Sequence, residues 1–483
     1  MTTLSRRHVL AGSAAGVAIA SLPRSAFAAK QTDVIVIGGG LAGLNAALNL
    51  SDYGARPIVL EAASRVGGRC FTADGVEGRP EYGASQIGAS YARVRDVANR
   101  FNIALAPGAN VNAPLCFGIG GKLVSRQDWA SSPLNRTVGD ERHVTPQALT
   151  DYYLRKKLPW TEIDGWRTEA ARAYDIPLGK WLISLGASAE AIRLMNSGLV
   201  DPNVADVSAL SILHEYIYTL MEIESFADPT LDRFEAFSKI SSRVVDGTSR
   251  IPEAMAAHLG DSVHLNKQVA TIDLSARGVE VRCTDGTSYK GSYVVSAVPF
   301  TALRKIDIRP GLPGAIGAAV KGIGAQRQSQ IFMQTDAPYW EEDGLDASIW
   351  TDTGPVSLIR QQIGGNGERR LLTAIANGDK GTALDQMPKK QRAQHVVDFL
   401  GQLRPAMKGH LKVIAVQSWA EQPFIYGCRH WLQPGEVKAF RDAIERPYQR
   451  MHFAGEHVRR LAIGMEAAME SGEAAAIQIL ERG

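Results

Sequence analysis

Six residues, Gly38-Gly39-Gly40-Leu41-Ala42-Gly43, carry the clearest chemistry in this chain of 483 residues. Their spacing is GxGxxG. They follow an apolar, β-branched run, Asp33 to Ile37, and lead into a helix-like segment from Leu44 to Tyr53. In that setting each glycine has a task. Gly38 permits a tight turn, Gly40 lets the backbone approach a pyrophosphate, and Gly43 lets helix and strand pack closely. The helix N-terminus, at Leu41 and Ala42, offers unbonded N–H groups and a positive dipole end to phosphate. A second strand, Arg56 to Leu60, ends on Glu61 and Ala62, where a carboxylate accepts hydrogen bonds from a ribose diol. The chemistry implied is dinucleotide binding at the edge of a parallel sheet.

Other segments must build the rest of the site. Residues 140–240 lack strand alternation and place Leu, Ile and Ala at three- and four-residue spacing, which predicts helices. Residues 261–298 read as strands, with Val269 in the first of them and a turn at Asp285-Gly286. A strand is predicted over 329–340, ending at Trp340, and a last helix over 464–481. No internal repeat is found. The chain therefore enters, leaves and re-enters one nucleotide-binding domain.

Composition narrows the class further. Hydrophobic residues make up 45% and charged residues 21%, the balance of a globular protein with a sizeable core. Past residue 30 no apolar run reaches the ~18 residues of a membrane span, so none is expected. The formal charge is +3, and Arg6, Arg7 and Arg24 account for it. A neutral remainder excludes nucleic-acid binding, which needs a basic surface. Cys70, Cys116, Cys283 and Cys428 are scattered and form no metal-ligand spacing, so no metal is expected; disulfides stay open. The N-terminus reads Ser5-Arg6-Arg7-His8-Val9-Leu10, then a weakly apolar stretch, then Ala26-Phe27-Ala28. That is the layout of a twin-arginine export signal cleaved after Ala28, which predicts a periplasmic protein.

Directly after Glu61 comes Arg65-Val66-Gly67-Gly68-Arg69. With the glycine loop, this stretch resembles the flavin monoamine oxidase family, whose members include monoamine, polyamine and L-amino-acid oxidases. Further blocks match in family order: Glu81-Tyr82-Gly83-Ala84-Ser85, Asp206 to Leu210, Asp246 to Pro252, Val294 to Pro299, Trp419 to Cys428, and Met451-His452-Phe453-Ala454-Gly455-Glu456-His457 leading to Gly464-Met465-Glu466. The resemblance implies an α/β fold: a Rossmann-like FAD-binding domain with a parallel sheet (29–84, 240–302 and 416–483), interleaved with a helix-plus-sheet substrate domain (85–239 and 303–415). It implies FAD, contacted by Arg65, Gly68, Arg69, Gly83, Ala84, Ser85, Val269, Gly455, Glu456, Gly464 and Met465, beside the glycine loop, Glu61 and Ala62. Trp419 would lie near the flavin ring. The helix at Met465 would support reduced flavin with its dipole. Cys428 falls where mammalian monoamine oxidases join the flavin covalently; an unlinked thiol is expected here.

Three positions depart from the family. Two facing aromatic rings commonly flank the substrate amine, and here those places hold Arg429 and Gly464. His430 or Trp431 is then the candidate replacement wall, and Arg429 a candidate clamp for a substrate carboxylate. Counting back from Trp340, the lysine that members carry on this strand is replaced by Gln330; Lys321 lies too far upstream. The resemblance implies oxidation of a small-molecule amine to an imine, hydrolysed to an aldehyde or ketone. Electrons would pass to O2 or a periplasmic carrier such as a c-type cytochrome. C–C desaturation within the same superfamily and L-amino-acid oxidation are the alternatives. A homodimer is left open.

Overall fold

Val34, Ile35 and Val36 are almost solvent-free, as a β-branched run covered on both faces must be. In the computed structural model, which describes residues 33–108, 115–198, 203–228, 233–362 and 370–482, they form the middle strand of a five-stranded sheet. The export signal expected over 1–28 lies outside the described residues. Strand order is Met451–Phe453, Tyr293–Ser296, Asp33–Ile37, Arg56–Leu60, Val263–His264, all parallel. Three widely separated stretches of chain thus supply one sheet.

Two helices cover one face. Leu41–Asp52 follows the glycine loop, and Gly464–Leu480 packs across it. The two come close because a Cβ at Gly472 would stand 2.2 Å from the Ala42 carbonyl oxygen. Asn45 Nδ2 donates to Met469 O at 2.8 Å across the same seam. The opposite face packs Ile35, Ile37 and Leu60 with Ile272, Val279 and Val281. These last residues belong to a four-stranded sheet, Ser288–Gly291, Val279–Cys283, Val269–Leu274 and Asp307–Arg309.

The second large sheet has seven strands, in the order Leu411–Ser418, Gln328–Thr335, Leu371–Asn377, Leu358–Gln362, Ser348–Thr351, Leu115–Ile119, Lys122–Val124. All neighbours are antiparallel except Ser348–Thr351 with Leu115–Ile119. Beside it stands the helical region, with Leu149–Lys156, Leu178–Ser184, Ala189–Gly198 and Ala209–Phe226 sharing one apolar core.

Two expectations are corrected. The strand predicted to reach Trp340 stops at Thr335; Pro338, which has no N–H to give the ladder, leads into the helical turn Tyr339–Asp343. The helix Ala92–Arg100, placed by sequence in the substrate segment, buries Val94 and Val97 in the core of the nucleotide-binding domain. None of the four cysteines is in a disulfide. No helix among the described residues is long and apolar enough to cross a membrane.

Candidate active site

The glycine loop is zipped to the loop after the second strand. Gly67 N donates to Gly39 O at 2.8 Å, and Gly40 bridges Gly67. Gly67 and Gly68 have φ of +99° and +54°, the left-handed region that glycine enters freely. Gly43 stands behind the loop: a Cβ there would lie 2.0 Å from Gly38 O. That is the close helix–strand packing its place in the motif demands. Gly40 differs, since nothing lies within 4 Å of where its Cβ would be. That open space belongs to a cavity of about 1100 Å³ that reaches from Gly38, Gly40, Leu41 and Ala42 to the seven-stranded sheet.

Glu61 is buried on the cavity wall beside Ala62. Its carboxylate accepts from Gly39 N at 2.6 Å and Ala63 N at 2.8 Å. Burial raises its pKa above the ordinary carboxylate value, and these N–H groups offset only part of that effect. Each oxygen keeps acceptor capacity for a diol. No side chain caps the helix Leu41–Asp52, so its first N–H groups are available for a phosphate.

Three motifs meet at a largely buried carboxylate, 15% exposed. Glu456 accepts from Arg69 Nη1 at 3.0 Å and lies 2.6 Å from His430 Nδ1. The same Arg69 nitrogen donates to Cys428 O at 2.7 Å. Burial alone would raise the Glu456 pKa, but His430 and Arg69 outweigh it and hold the group well below the usual range. Arg65, expected among the FAD contacts, donates to Val66 O and Gly68 O and stacks over Phe71 at 3.8 Å. Its place on the cavity wall follows from the fold of its own loop.

Trp419 is buried, lines the cavity, and donates from Nε1 to Tyr82 O at 2.9 Å. A Cβ at Gly83 would stand 1.8 Å from Arg69 O and 3.0 Å from the Trp419 ring, so this site holds only glycine. Ala84, Ser85, Val269, Gly455, Gly464 and Met465 also line the cavity. In the Trp419 block, Phe424 and Tyr426 take φ of +67° and +57° and line it too. Such strain in non-glycine residues costs of order 1–3 kcal/mol each and gathers at functional sites.

Trp431 is the candidate that the fold takes away. In the pair Gly324–Ala325 with His430–Trp431, its indole lies over Gly324, where a Cβ would meet Nε1 at 2.5 Å. The cavity lining does not include it, and His430 is turned to Glu456. Neither serves as a replacement wall. The room in front of Gly464 is taken instead by Tyr91: a Cβ at Gly464 would come within 2.8 Å of its hydroxyl oxygen. Tyr91 stands just before the helix Ala92–Arg100, and no motif marked it. Gly464 has φ of +58°, so Gly464→Phe combines backbone strain with a clash. The expected loss is about 1–3 kcal/mol, read by chemical denaturation. Tyr91→Ala in the same chain should recover the clash but not the strain.

Gln330 and Cys428 both line the cavity. Gln330 is buried, and its Oε1 has no hydrogen-bond partner among the described residues. Cys428 Sγ lies 3.5 Å from Gln328 Oε1. Arg429 also reaches the wall, but Glu215 holds it: Nη2 donates to both carboxylate oxygens at 3.0 Å. Arg459 pairs with Glu215 from the other side. Burial would raise the Glu215 pKa; Arg429 and Arg459 instead depress it. Sequence reasoning missed Glu215 because it sits mid-helix in Ala209–Phe226 among core residues.

FAD fits the donor set on three observations: the open cradle at Gly40, the carboxylate of Glu61 at the strand end, and His457. Both ring nitrogens of that buried histidine lack partners among the described residues, and it faces the cavity. Burial, and after it neighbouring His430, lowers the His457 pKa to about 3, so the His457 ring is neutral.

The chain is similar to known proteins along most of its length. The flavin-containing amine oxidase of Danio rerio is 26% identical over 475 residues, covering 94% of this chain and 86% of that protein. Amine oxidase B of Homo sapiens is 24% identical, covering 93% and 86%. Among solved structures, cyclohexylamine oxidase from Brevibacterium oxydans superposes with a TM-score of 0.76 at 21% identity, covering 94% of this chain and 99% of that one. Putrescine oxidase bound to putrescine gives 0.73 at 20%, covering 94% and 100%. The model of the flavin-containing amine oxidoreductases matches residues 41–480. The chain belongs to that family, as an FAD-dependent amine oxidoreductase.

Proposed function

We propose that the enzyme oxidises the C–N bond of a small-molecule amine to an imine, which water hydrolyses to an aldehyde or ketone. The observation that carries this is one continuous cavity, which joins the nucleotide cradle at Gly40 and Glu61 to a sheet face bearing Gln330 and is also walled by Trp419. Bound FAD supplies the two-electron acceptor. The protein binds, orients and desolvates the amine. The cluster of Glu215, Arg429 and Arg459 carries one net positive charge, which favours the neutral amine over its ammonium form. An anaerobic panel of amines and amino acids tests the reading, following flavin absorbance and ammonia. Bleaching with C=C formation and no amine or ammonia release would replace it with desaturation.

Export supports a place for this reaction. The order Arg6-Arg7, weakly apolar stretch, Ala26-Phe27-Ala28 favours twin-arginine transport and a periplasmic enzyme. N-terminal sequencing of the secreted form should begin at Ala29; an intact Met1 start would refute it.

A periplasmic enzyme has carriers at hand, and its electrons go to a cytochrome or quinone rather than to O2. Gln330 supports this, because a neutral amide cannot stabilise charge developing on O2 as a cation does. Gln330→Lys should therefore speed reoxidation by O2 by about a hundredfold, equivalent to ~2.7 kcal/mol, in stopped-flow mixing. Fast wild-type reoxidation that the substitution does not improve would rule the carrier out.

A further inference from the structure

Five arginines stand on the cavity wall, and four are engaged. Arg65 is bonded to its own loop, Arg69 to Glu456, and Arg429 and Arg459 to Glu215. Arg360 is different. It occupies the centre of the strand Leu358–Gln362, opposite Thr373 on the neighbouring strand. Alternation along this strand puts Ile359 and Gln361 into buried surroundings on the far side, while Leu358, Arg360 and Gln362 face the cavity. Among the described residues, no carboxylate and no hydrogen-bond acceptor meets its guanidinium. Burial lowers its pKa only to about 10, so it remains charged at neutral pH.

An unpaired guanidinium in a partly dehydrated wall is costly, and the usual remedy is a bound anion. Its surroundings on the sheet do not supply one. Gln328, Gln330, Thr373 and Asn377 face the same space and are all neutral. Gln362 is already turned aside, donating from Nε2 to Thr373 Oγ1 at 2.7 Å. Glu215 is committed to two arginines, and Glu61 and Glu456 hold the nucleotide side. A diamine would bring a second ammonium to a wall with a cation, where the remaining acid, Glu81, accepts from Thr72 Oγ1 and Thr248 N. A carboxylate would complete it, and guanidinium and carboxylate pair in a two-pronged geometry.

We propose that Arg360 binds the carboxylate of the substrate, so that the enzyme acts on amino acids or other acid-bearing amines and not on simple amines or diamines. Arg429, the clamp suggested by its place in the sequence, already shares the carboxylate of Glu215 with Arg459. The inference rests on the amine-oxidising reading above for the reaction, but anion binding can be measured without turnover.

Calorimetric titration of the holoenzyme with benzoate and with benzamide provides that measurement. Benzoate should bind at least tenfold more tightly than benzamide. Arg360→Gln should weaken benzoate roughly a hundredfold and benzamide little, with Arg360→Lys recovering part of the loss. Flavin content and circular dichroism show whether each variant folds. Equal binding of the two probes to the wild type, which needs no variant, would overturn the proposal, and so would full benzoate binding by Arg360→Gln. In parallel, amino acids are compared with their decarboxylated amines in the anaerobic assay, with putrescine included. Bleaching by the amines but not the amino acids overturns the acid-bearing class and leaves amine oxidation standing. Bleaching by neither, with benzoate binding kept, strikes the oxidation reading alone.

Discussion

Gly40→Val is expected to give a folded protein that has lost its yellow colour. The backbone at Gly40 has φ of −81° and ψ of 178°, extended values that valine adopts without strain. Nothing of the protein lies within 4 Å of the new Cβ, so the fold has no cause to change. The side chain fills the cradle in which the pyrophosphate meets the helix N-terminus. FAD affinity should fall by at least about a hundredfold, the loss of two or so charge-assisted hydrogen bonds. The ratio of flavin to protein absorbance after reconstitution reads this, and thermal unfolding of both apoproteins shows that stability is kept. Gly43→Val makes the contrast. Its Cβ would stand 2.0 Å from Gly38 O and 3.1 Å from Val36, which forces the helix off the sheet and lowers stability by several kcal/mol. If Gly40→Val retains normal flavin, the cradle is elsewhere.

Glu215→Leu should destabilise the protein through the cavity wall. It leaves Arg429 and Arg459 side by side without their shared carboxylate. Glu215 is 21% exposed, Arg429 29% and Arg459 7%, so the cost falls between the roughly 1 kcal/mol of an exposed pair and the about 3–5 kcal/mol of a fully buried one. Denaturant titration at neutral pH measures it, and a loss under about 1 kcal/mol, the value of an exposed pair, would show that solvent screens the cluster. The pH dependence has a definite sign. The folded-state pKa of Glu215 is depressed below its unfolded value. Its stabilisation is therefore fully present above the ordinary glutamate pKa, and is lost as pH falls through the folded-state value. The wild-type advantage over Glu215→Leu should be constant from neutral pH down to about pH 5 and shrink below it.

Much of the nucleotide side was legible in the sequence, because its requirements are local. Glycines 38, 40 and 43 serve a turn, a close approach and a packing contact that lie within one strand–loop–helix unit, and both first strands fall where the β-branched runs place them. Glu61 is at the end of the second of those strands for the same reason. The helix at Gly464 was also visible, from its apolar spacing.

The substrate side was decided by tertiary structure. Trp431 and Trp419 are both aromatic and lie near one another in sequence, yet one covers Gly324 and the other walls the cavity, because strand pairing sets which way each turns. Arg429 looks like an anchor until the helix Ala209–Phe226 brings Glu215 to it from 214 residues away. Tyr91 fills the room beside Gly464 only because the helix Ala92–Arg100 docks there. Arg360 had one local signal, a charge in the middle of a strand. Whether that charge was solvated, paired or left facing the cavity depended on the neighbours that the seven-stranded sheet gave it. A motif records what a backbone must do locally; the charge balance of a cavity is a sum over side chains from distant segments, and only the fold determines which ones are included.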